Sequence, residues 1–244
     1  MKRLFGFSTG TIWNWSKQLN RAGLTDHLYD LDIDGVELTF GFIPGIYAFS
    51  LAPEQVAWLR SLKYVSLHAP PRPKSEKYEE SEAVKQLEHL QMIYKKVKAR
   101  NIVIHAGVLP PKKILDRFDM HFSVENLSKD VGVSFEKLAQ ILKAYPDISL
   151  CLDVAHAYSW SEEETKRIVE KFRDKITEVH VSGHCNGKDH ASLQRLSKSF
   201  IKSLKPVLTL KVPIILEETI MEKNINLVKK EISCMKSLFS NEKY

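Results

Sequence analysis

Two stretches decide the fold: HFSVENL at residues 121–127 and ISLCLDVAH at residues 148–156. Each is an apolar run of strand length that stops at a polar side chain. The first run ends at Glu125, and the second ends at Asp153 and His156. Short, continuously apolar runs are typical of strands covered on both faces, as in a parallel sheet. We therefore predict two buried strands with functional side chains at their ends.

The same arrangement recurs at five other places along the chain. In each, an apolar run leads to a histidine or a glutamate. These residues are Glu37 in GVEL, His68 in VSLHAP, His105 in NIVIHAG, His180 in ITEVHVSG and Glu217 in VPIILEE. Because the carboxyl ends of parallel strands open on one side of a sheet, we expect these side chains to share a rim.

Eight apolar runs alternate with segments of helical periodicity. The runs lie at residues 4–9, 34–40, 64–70, 101–107, 121–127, 148–156, 175–183 and 212–219. Helices are predicted over 79–100, 112–118 and 222–239, after an N-cap at Ser134, and after a capping box at Ser161–Glu164. Eight such units in 244 residues predict an α/β fold with one domain over 1–244, a single (β/α)8 TIM barrel.

A doubly wound open sheet is the alternative architecture. It would be favoured by a glycine-rich phosphate loop after the first strand. Ser8–Thr11 does not have that pattern. In a barrel, the site is expected at the C-terminal ends of the strands.

Composition excludes several classes of protein. No apolar run approaches the roughly 18 residues that cross a bilayer, so we expect no membrane partner. Three cysteines without framework spacing are typical of a reducing compartment, and we expect a cytoplasmic protein. The net charge of +6 comes from lysines interspersed with glutamates along helices, which predicts solvated helix faces. No pattern predicts the oligomeric state.

The shared rim combines imidazole and carboxylate side chains. Its members are His68, His105, Glu125, Asp153, His156, His180 and Glu217, with Asp189 and His190 from the loop after the seventh strand. A single histidine at a strand end is most often a hydrogen-bonding side chain, but the repetition over several strands favours a common ligand. This donor set suits Zn, Mn or Co. We predict bound divalent metal ions, whose number the donor types do not fix.

These motifs resemble the xylose-isomerase-like TIM-barrel superfamily, which contains sugar phosphate isomerases and epimerases and the type IV apurinic endonucleases. The matching motifs are VEN, LDVAH, HVS and ILE on the fifth to eighth strands. The epimerase-like members imply one metal held by Glu125, Asp153, His180 and Glu217. The endonuclease-like members imply three zinc ions, held by His68, His105 and Glu125, by Glu125, Asp153, His180 and Glu217, and by His156 with a loop Asp-x-His pair.

The sequence departs from the endonuclease pattern after the seventh strand. In Lys188-Asp189-His190 the aspartate and histidine are adjacent, whereas the pattern separates them by one residue. HVSG stands where that strand continues with Asn-Asp, and Ala191–Gln194 replace a glycine-rich stretch. The departure favours the isomerase-like activity.

The leading expectation is a divalent-metal-dependent isomerase or epimerase acting on a sugar or sugar phosphate through a metal-stabilised enediolate. Glu125 and Glu217 would move the proton, and His156 would bind a substrate oxygen. The alternative is an endonuclease IV-like phosphodiesterase acting on abasic DNA. A third interpretation is a non-catalytic barrel that binds a small ligand.

Further residues are expected to contact the substrate. Glu37, Trp13 and Phe42 are the candidates, and Phe42 belongs to the segment 39–47, which would form either a lid or an aromatic plug against the barrel rim. Glu37 has two alternative roles, orienting a ligand or making a structural hydrogen bond. Under the alternative, DNA contacts are expected from Arg72, Lys74, Lys112, Lys113 and Arg117. A weaker metal-binding candidate is the pair His184 and Cys185.

Overall fold

A computed structural model describes residues 3–71 and 79–240. Eight parallel strands close into a barrel in the order β1-β10-β7-β6-β5-β4-β3-β2. Their bounds are β1 Phe5–Ser8, β2 Gly35–Thr39, β3 Tyr64–His68, β4 Asn101–His105, β5 Phe122–Glu125, β6 Ser149–Asp153, β7 Ile176–Val181 and β10 Ile214–Leu216. The predicted (β/α)8 barrel is confirmed, and each barrel strand lies within the apolar run that predicted it.

Helices connect the strands on the outside of the barrel. Within the described residues the α-helices are α1 Ile43–Ala48, α2 Pro53–Ser61, α3 Glu80–Val97, α4 Lys112–Leu115, α5 Phe135–Ala144, α6 Val154–Trp160, α7 Glu164–Phe172, α8 Lys198–Ser203 and α9 Ile225–Ser240. Short 3₁₀ segments lie at Thr9–Trp15, Ala22–His27, Arg173–Lys175, Leu193–Arg195 and Lys205–Thr209. No described helix has the length and apolarity that would let it cross a membrane.

Two predicted helix starts have different outcomes. Ser134 caps α5 as predicted, and its Oγ accepts a hydrogen bond from the backbone N–H of Lys137. The capping box at Ser161 is wrong, because α6 extends to Trp160 and Ser161 ends that helix instead of starting α7. The N-cap residue of α7 is Glu163, whose side chain makes no capping hydrogen bond.

A two-stranded hairpin after β7 was not predicted. Its strands are β8 Gly183–Cys185 and β9 Lys188–Ala191, which pair antiparallel. The turn consists of Asn186 and Gly187, both with positive φ of 51° and 76°. Asn-Gly is the preferred sequence for a two-residue hairpin turn that needs left-handed backbone at both positions. That dipeptide is the signal that sequence reasoning missed.

A cluster of buried polar side chains joins opposite sides of the barrel. Glu178 on β7 accepts hydrogen bonds from Tyr64 Oη at 2.6 Å, Asn101 Nδ2 at 2.9 Å and Ser66 Oγ at 2.9 Å. These donors come from β3 and β4, across the barrel from β7. Burial alone would raise the pKa of Glu178, but its hydrogen bonds, first with His180, hold the pKa below the usual value. The interior therefore contains a carboxylate whose charge is stabilised by fixed donors.

Candidate metal centre

The C-terminal mouth of the barrel brings together overlapping groups of side chains that could hold a metal ion. Three groups together contain every rim residue named from the sequence, and two further combinations among the described residues, His68 with His180 and Glu217 and Glu37 with Glu178 and His180, overlap with them. In each group, one candidate ligand atom per residue lies within 4.8 Å of all the others. The first donor group is His68, His105 and Glu125; the second is Glu125, Asp153, His180 and Glu217; the third is His156, Asp189 and His190. Every residue that the sequence placed on the rim as a metal donor is therefore in a group, and Glu125 belongs to two.

Glu125 lies between the first and second donor groups. Its Oε2 is 3.2 Å from His68 Nε2 and 3.1 Å from His105 Nε2. Its Oε1 is 3.1 Å from His180 Nδ1. Burial alone would raise the pKa of Glu125, but hydrogen bonds with His105, His180 and His68 hold the pKa well below its usual value. An ionised carboxylate with one oxygen toward each group has the geometry of a bridging ligand.

Backbone carbonyls orient three of the imidazoles. A carbonyl oxygen only accepts, so the ring nitrogen that faces it carries the proton. The three Nδ1–H groups donate from His68 to Ala69 at 2.9 Å, from His156 to Asn126 at 3.0 Å and from His190 to Glu217 at 2.7 Å. Each of these rings therefore presents an unprotonated Nε2 to its donor group when the histidine is neutral. Such an outer hydrogen bond is the usual support of a metal-binding histidine.

His180 is supported by carboxylates instead of a carbonyl. Its Nδ1 faces Glu217 Oε2 at 2.8 Å, while its Nε2 faces Glu37 Oε2 at 3.0 Å. Glu37 is 0% exposed and does not line the cavity above the donor groups. The substrate contact of Glu37 stays a prediction, and its carboxylate lies buried against His180, as expected for a residue that orients a ligand. It occupies the position of the carboxylate in a carboxylate–histidine–metal arrangement.

The hydrogen bonds of Asp153 indicate whether the second donor group suits a cation. Its backbone is clamped by Asn126, whose Oδ1 accepts from Asp153 N and whose Nδ2 donates to Asp153 O, both at 2.8 Å. Asp153 Oδ1 accepts from the backbone N–H of His156, but the buried Oδ2 has no hydrogen-bond partner among the described residues. Burial raises the pKa of this carboxyl group. A buried carboxylate oxygen without a partner, beside imidazole and glutamate donors, fits a divalent metal ion.

The third donor group contains Asp189 and His190, although these residues are adjacent and not separated by one residue as in the endonuclease pattern. Adjacent residues of a strand point to opposite sides, so adjacent Asp189 and His190 would not be expected to share a site. His190 has a left-handed backbone with φ of 52°, which interrupts that alternation. Asp189 Oδ2 consequently lies 3.5 Å from His156 Nε2, and the rings of His156 and His190 lie 5.3 Å apart. Both loop residues face the same position despite their adjacency.

A cavity of about 540 Å³ opens above the donor groups. Trp13 and Phe42 line it, as predicted, together with Arg21, which sequence reasoning missed. Part of the predicted lid at 39–47 is helical, since α1 begins at Ile43. The cavity has the size of a small-molecule site.

Several weaker candidates lie elsewhere. His184 packs against the ring of Tyr158 at 5.2 Å, and neither it nor the exposed Cys185 belongs to a donor group. Of the predicted DNA contacts, Arg72 and Lys74 lie outside the described residues. Lys112 is paired with Asp116 at 2.7 Å and with Asp147 at 3.1 Å, and Lys113 is paired with Glu80 at 2.6 Å.

Sequence comparison covers only part of the chain. No family model matches it. A stretch of 89 residues is 34% identical to an uncharacterized protein from Methanocaldococcus jannaschii, and covers 35% of this chain and 32% of that protein. The chain thus matches about a third of the length of this curated relative.

The similarity to solved structures extends over nearly the whole chain. A D-tagatose 3-epimerase-like protein is 16% identical, with a TM-score of 0.69 and 97% of both chains covered. A xylose isomerase domain containing protein from Salmonella typhimurium is 18% identical, with a TM-score of 0.68 over 99% of this chain and 98% of that one. Endonuclease IV from Thermus thermophilus is 18% identical, with a TM-score of 0.65 over 96% of this chain and 99% of that one.

These structures show the fold: the chain has the same TIM-barrel fold as an epimerase-like protein, a xylose isomerase domain protein and endonuclease IV, as the resemblance of the motifs implied. An epimerase-like protein and an endonuclease both have this fold, so the fold alone does not choose between the two activities. The choice depends on the donor groups.

Proposed function

We propose that this chain is a divalent-metal-dependent phosphodiesterase of the endonuclease IV type, which cleaves DNA beside an abasic site. One observation carries the proposal: three donor groups meet at the mouth of the barrel, and Glu125 is shared between two of them. Proton transfer beside a carbonyl needs only one of these groups. The sequence argued against a third metal position because Asp189 and His190 are adjacent. The left-handed backbone at His190 nevertheless lets both side chains face the same position.

The three donor groups would hold three ions, of Zn, Mn or Co. When bound, such ions supply a nucleophilic hydroxide and offset the negative charge on the attacking and leaving oxygens of a phosphodiester. The chain itself positions the reactants. Glu125 keeps the first two positions at a fixed separation, and His156 and Asp189 hold the third. Trp13 and Phe42 border the cavity where the abasic sugar would lie.

The test is incubation of the metal-loaded chain with a duplex that contains a single abasic site. We expect a nick at that site and none in the same duplex with an intact base. Asp153→Asn should abolish the nick, because it weakens the unpartnered carboxylate of the second donor group. Glu162→Gln, which removes a carboxylate on the exposed segment before α7, is the matched control and should cut normally. Failure of the fully metal-loaded wild-type chain to nick the abasic duplex would reject the proposal.

A sugar isomerase or epimerase is the second candidate, and one observation favours it. Glu217 Oε2 and Glu125 Oε1 lie 2.8 and 3.1 Å from the same atom, His180 Nδ1, below a cavity of sugar size. In this reaction one glutamate removes a proton beside a carbonyl and the other returns it, while His156 Nε2 hydrogen-bonds a substrate oxygen. A bound metal ion would polarise the carbonyl. The ion pairs of Lys112 and Lys113 also leave fewer free cations for DNA.

Exchange of solvent hydrogen into the substrate distinguishes the second candidate. Ketoses and their phosphates incubated in deuterated water with the metal-loaded chain should gain deuterium beside the carbonyl. Glu217→Gln should stop the exchange. If the wild-type chain catalyses no exchange but nicks abasic duplex, the isomerase is excluded.

A further inference from the structure

Arg21 forms part of the wall of the cavity that the donor groups share. Its guanidinium carbon lies 5.0 Å from the ring centroid of Phe42 and 5.6 Å from that of Trp13. Both distances are within the range of cation–π attraction. The two rings come from different segments, after β2 and after β1, and both line the cavity together with the cation.

The backbone around Arg21 is fixed before any ligand binds. Asn20 Oδ1 accepts hydrogen bonds from the backbone N–H groups of Ala22 and Ser50, at 3.1 and 3.2 Å. Asn20 Nδ2 donates to the carbonyl oxygen of Ser50 at 3.1 Å. The carbonyl oxygen of Arg21 accepts from Leu24 N at 3.0 Å. The segment that carries the guanidinium is therefore anchored on both sides, which reduces the entropy lost when it binds.

The guanidinium lacks an anionic partner. Within residues 3–71 and 79–240, no carboxylate oxygen lies within 4.0 Å of it, although Glu125, Asp189 and Glu217 line the same cavity. Its Nε is buried and has no hydrogen-bond partner among those residues. Arginine remains charged in proteins, and a buried donor without an acceptor is costly. A structural arginine would normally be paired with a carboxylate or a carbonyl.

An oxyanion of the substrate would supply the missing negative charge beside the accessible part of this half-buried side chain. The planar guanidinium offers parallel N–H donors that match the oxygens of a phosphate group. The carboxylates of the donor groups repel such an anion unless metal ions neutralise them, whereas Arg21 attracts it directly. We propose that Arg21, which belongs to none of the donor groups, binds a phosphate group of the substrate beside Trp13 and Phe42.

This assignment of Arg21 rests on the proposed function, because both assume a substrate in which a phosphate is attached to a sugar. Two sources offer the same chemistry: a phosphodiester flanking the abasic sugar in DNA, and the phosphomonoester of a small sugar. Both place a phosphate a few bonds away from the sugar ring that reaches the donor groups. The experiment therefore includes a probe of each kind.

The experiment measures binding by calorimetry to the metal-loaded full chain. The probes are 2-deoxyribose 5-phosphate, 2-deoxyribose and an abasic duplex. Arg21→Gln should weaken binding of 2-deoxyribose 5-phosphate by about 10-fold to 100-fold, the value of a charge-assisted hydrogen-bonded pair. Binding of 2-deoxyribose should not change. A comparable loss for the duplex alone identifies the DNA phosphate as the source, and a loss for the small ester alone identifies the phosphomonoester.

Two further variants separate a phosphate contact from a loss of structure. Arg21→Lys keeps the charge without the paired donors and should give an intermediate affinity. Arg100→Gln removes an exposed arginine just before β4, at the opposite end of the barrel, and should bind every probe normally. Elemental analysis of each variant should give unchanged metal content.

The assignment is overturned if Arg21→Gln, with its metal content intact, binds both phosphorylated probes as tightly as the wild-type chain. It is also overturned if the wild-type chain binds neither of them more tightly than 2-deoxyribose. These outcomes are independent of the nicking test. A chain that binds a phosphate through Arg21 but leaves an abasic duplex intact would reject the phosphodiesterase and retain the anion site.

Discussion

His190 donates a hydrogen bond from Nδ1 to the carbonyl oxygen of Glu217, at 2.7 Å. One residue belongs to the third donor group and the other to the second. The backbone N–H of Thr219 in turn donates to the carbonyl oxygen of His190 at 2.9 Å, so the hairpin and the end of β10 are joined twice. The third group is consequently part of the barrel rim and not an independent loop.

Removal of one third-group ligand should remove one metal ion. We expect the wild-type chain to bind three divalent ions and Asp189→Asn to bind two, because the amide is a much weaker ligand than the carboxylate. Elemental analysis of protein dialysed against excess metal measures the ratio. Asp130→Asn, at an exposed turn, is the control and should keep three. Three ions in Asp189→Asn would contradict the third position.

Glu37 should act on metal affinity without touching the substrate. Its carboxylate faces His180 Nε2 at 3.0 Å, and loss of such an outer ligand lowers metal affinity by about 10-fold to 100-fold. We expect the loss of metal affinity in Glu37→Gln to be at the lower end of that range, since the amide oxygen still accepts a hydrogen bond. Competition with a chelator measures the change, with exposed Glu54→Gln as the control. A raised KM at saturating metal would instead support the predicted substrate contact.

The metal-free chain should lose stability as pH rises. Burial lowers the pKa of His68, but the hydrogen bond with Glu125 and the charge of Glu37 outweigh it and raise the pKa to about 10. The unfolded value is about 6.5, so the folded chain binds the extra proton between these values. The stabilisation is complete below about pH 6.5 and lost as pH passes about 10.

Thermal unfolding of the metal-free chain at about pH 6.5 and about pH 10 measures this effect. We expect the midpoint to fall by at least about 2–4 °C, the shift that about 1 kcal/mol produces in a chain of this size. His68→Gln should reduce the slope. A midpoint that stays constant or rises over this range in the metal-free wild type would contradict the assignment.

Glu178 should be among the residues most important for stability. Glu178→Ala would leave the buried hydroxyls of Tyr64 and Ser66 and the amide of Asn101 without their acceptor. Each unsatisfied group costs about 1–3 kcal/mol, so we expect a loss of at least about 3 kcal/mol in the free energy of unfolding.

Urea denaturation gives that free energy. Glu178→Gln keeps an acceptor oxygen and should lose less. Glu170→Ala on the exposed side of α7 should be nearly neutral. Equal stability of Glu178→Ala and the wild-type chain would mean that the interior hydrogen bonds contribute little.

The strands and the clustering of the candidate metal donors were predictable because their signals are local. An apolar run that stops at Glu125 or Asp153 specifies both a buried strand and the side chain at its end. The parallel closure of the barrel then brings distant residues such as His68 and Glu217 together without further information from the sequence. The prediction of the donor groups thus followed from the prediction of the fold.

The remaining features depend on contacts between distant segments. Glu178 lies in the run ITEVHV, where nothing indicates that it faces Tyr64 across the barrel. The position of Arg21 is set by rings on two other segments and not by a strand end. The backbone handedness at His190, which the residue type does not specify, decides whether two adjacent residues share a site.

The amide of Asn126 holds part of the second donor group in place by hydrogen bonds alone. It bonds both backbone groups of Asp153, and the backbone carbonyl oxygen of Asn126 accepts from His156. The ends of β5 and β6 are thereby cross-linked by neutral hydrogen bonds that no ion has to supply. A metal ion that bound here would therefore meet ligands that are already in position. Selection among ions would then depend on ionic radius, since little energy would be needed to organise the ligands.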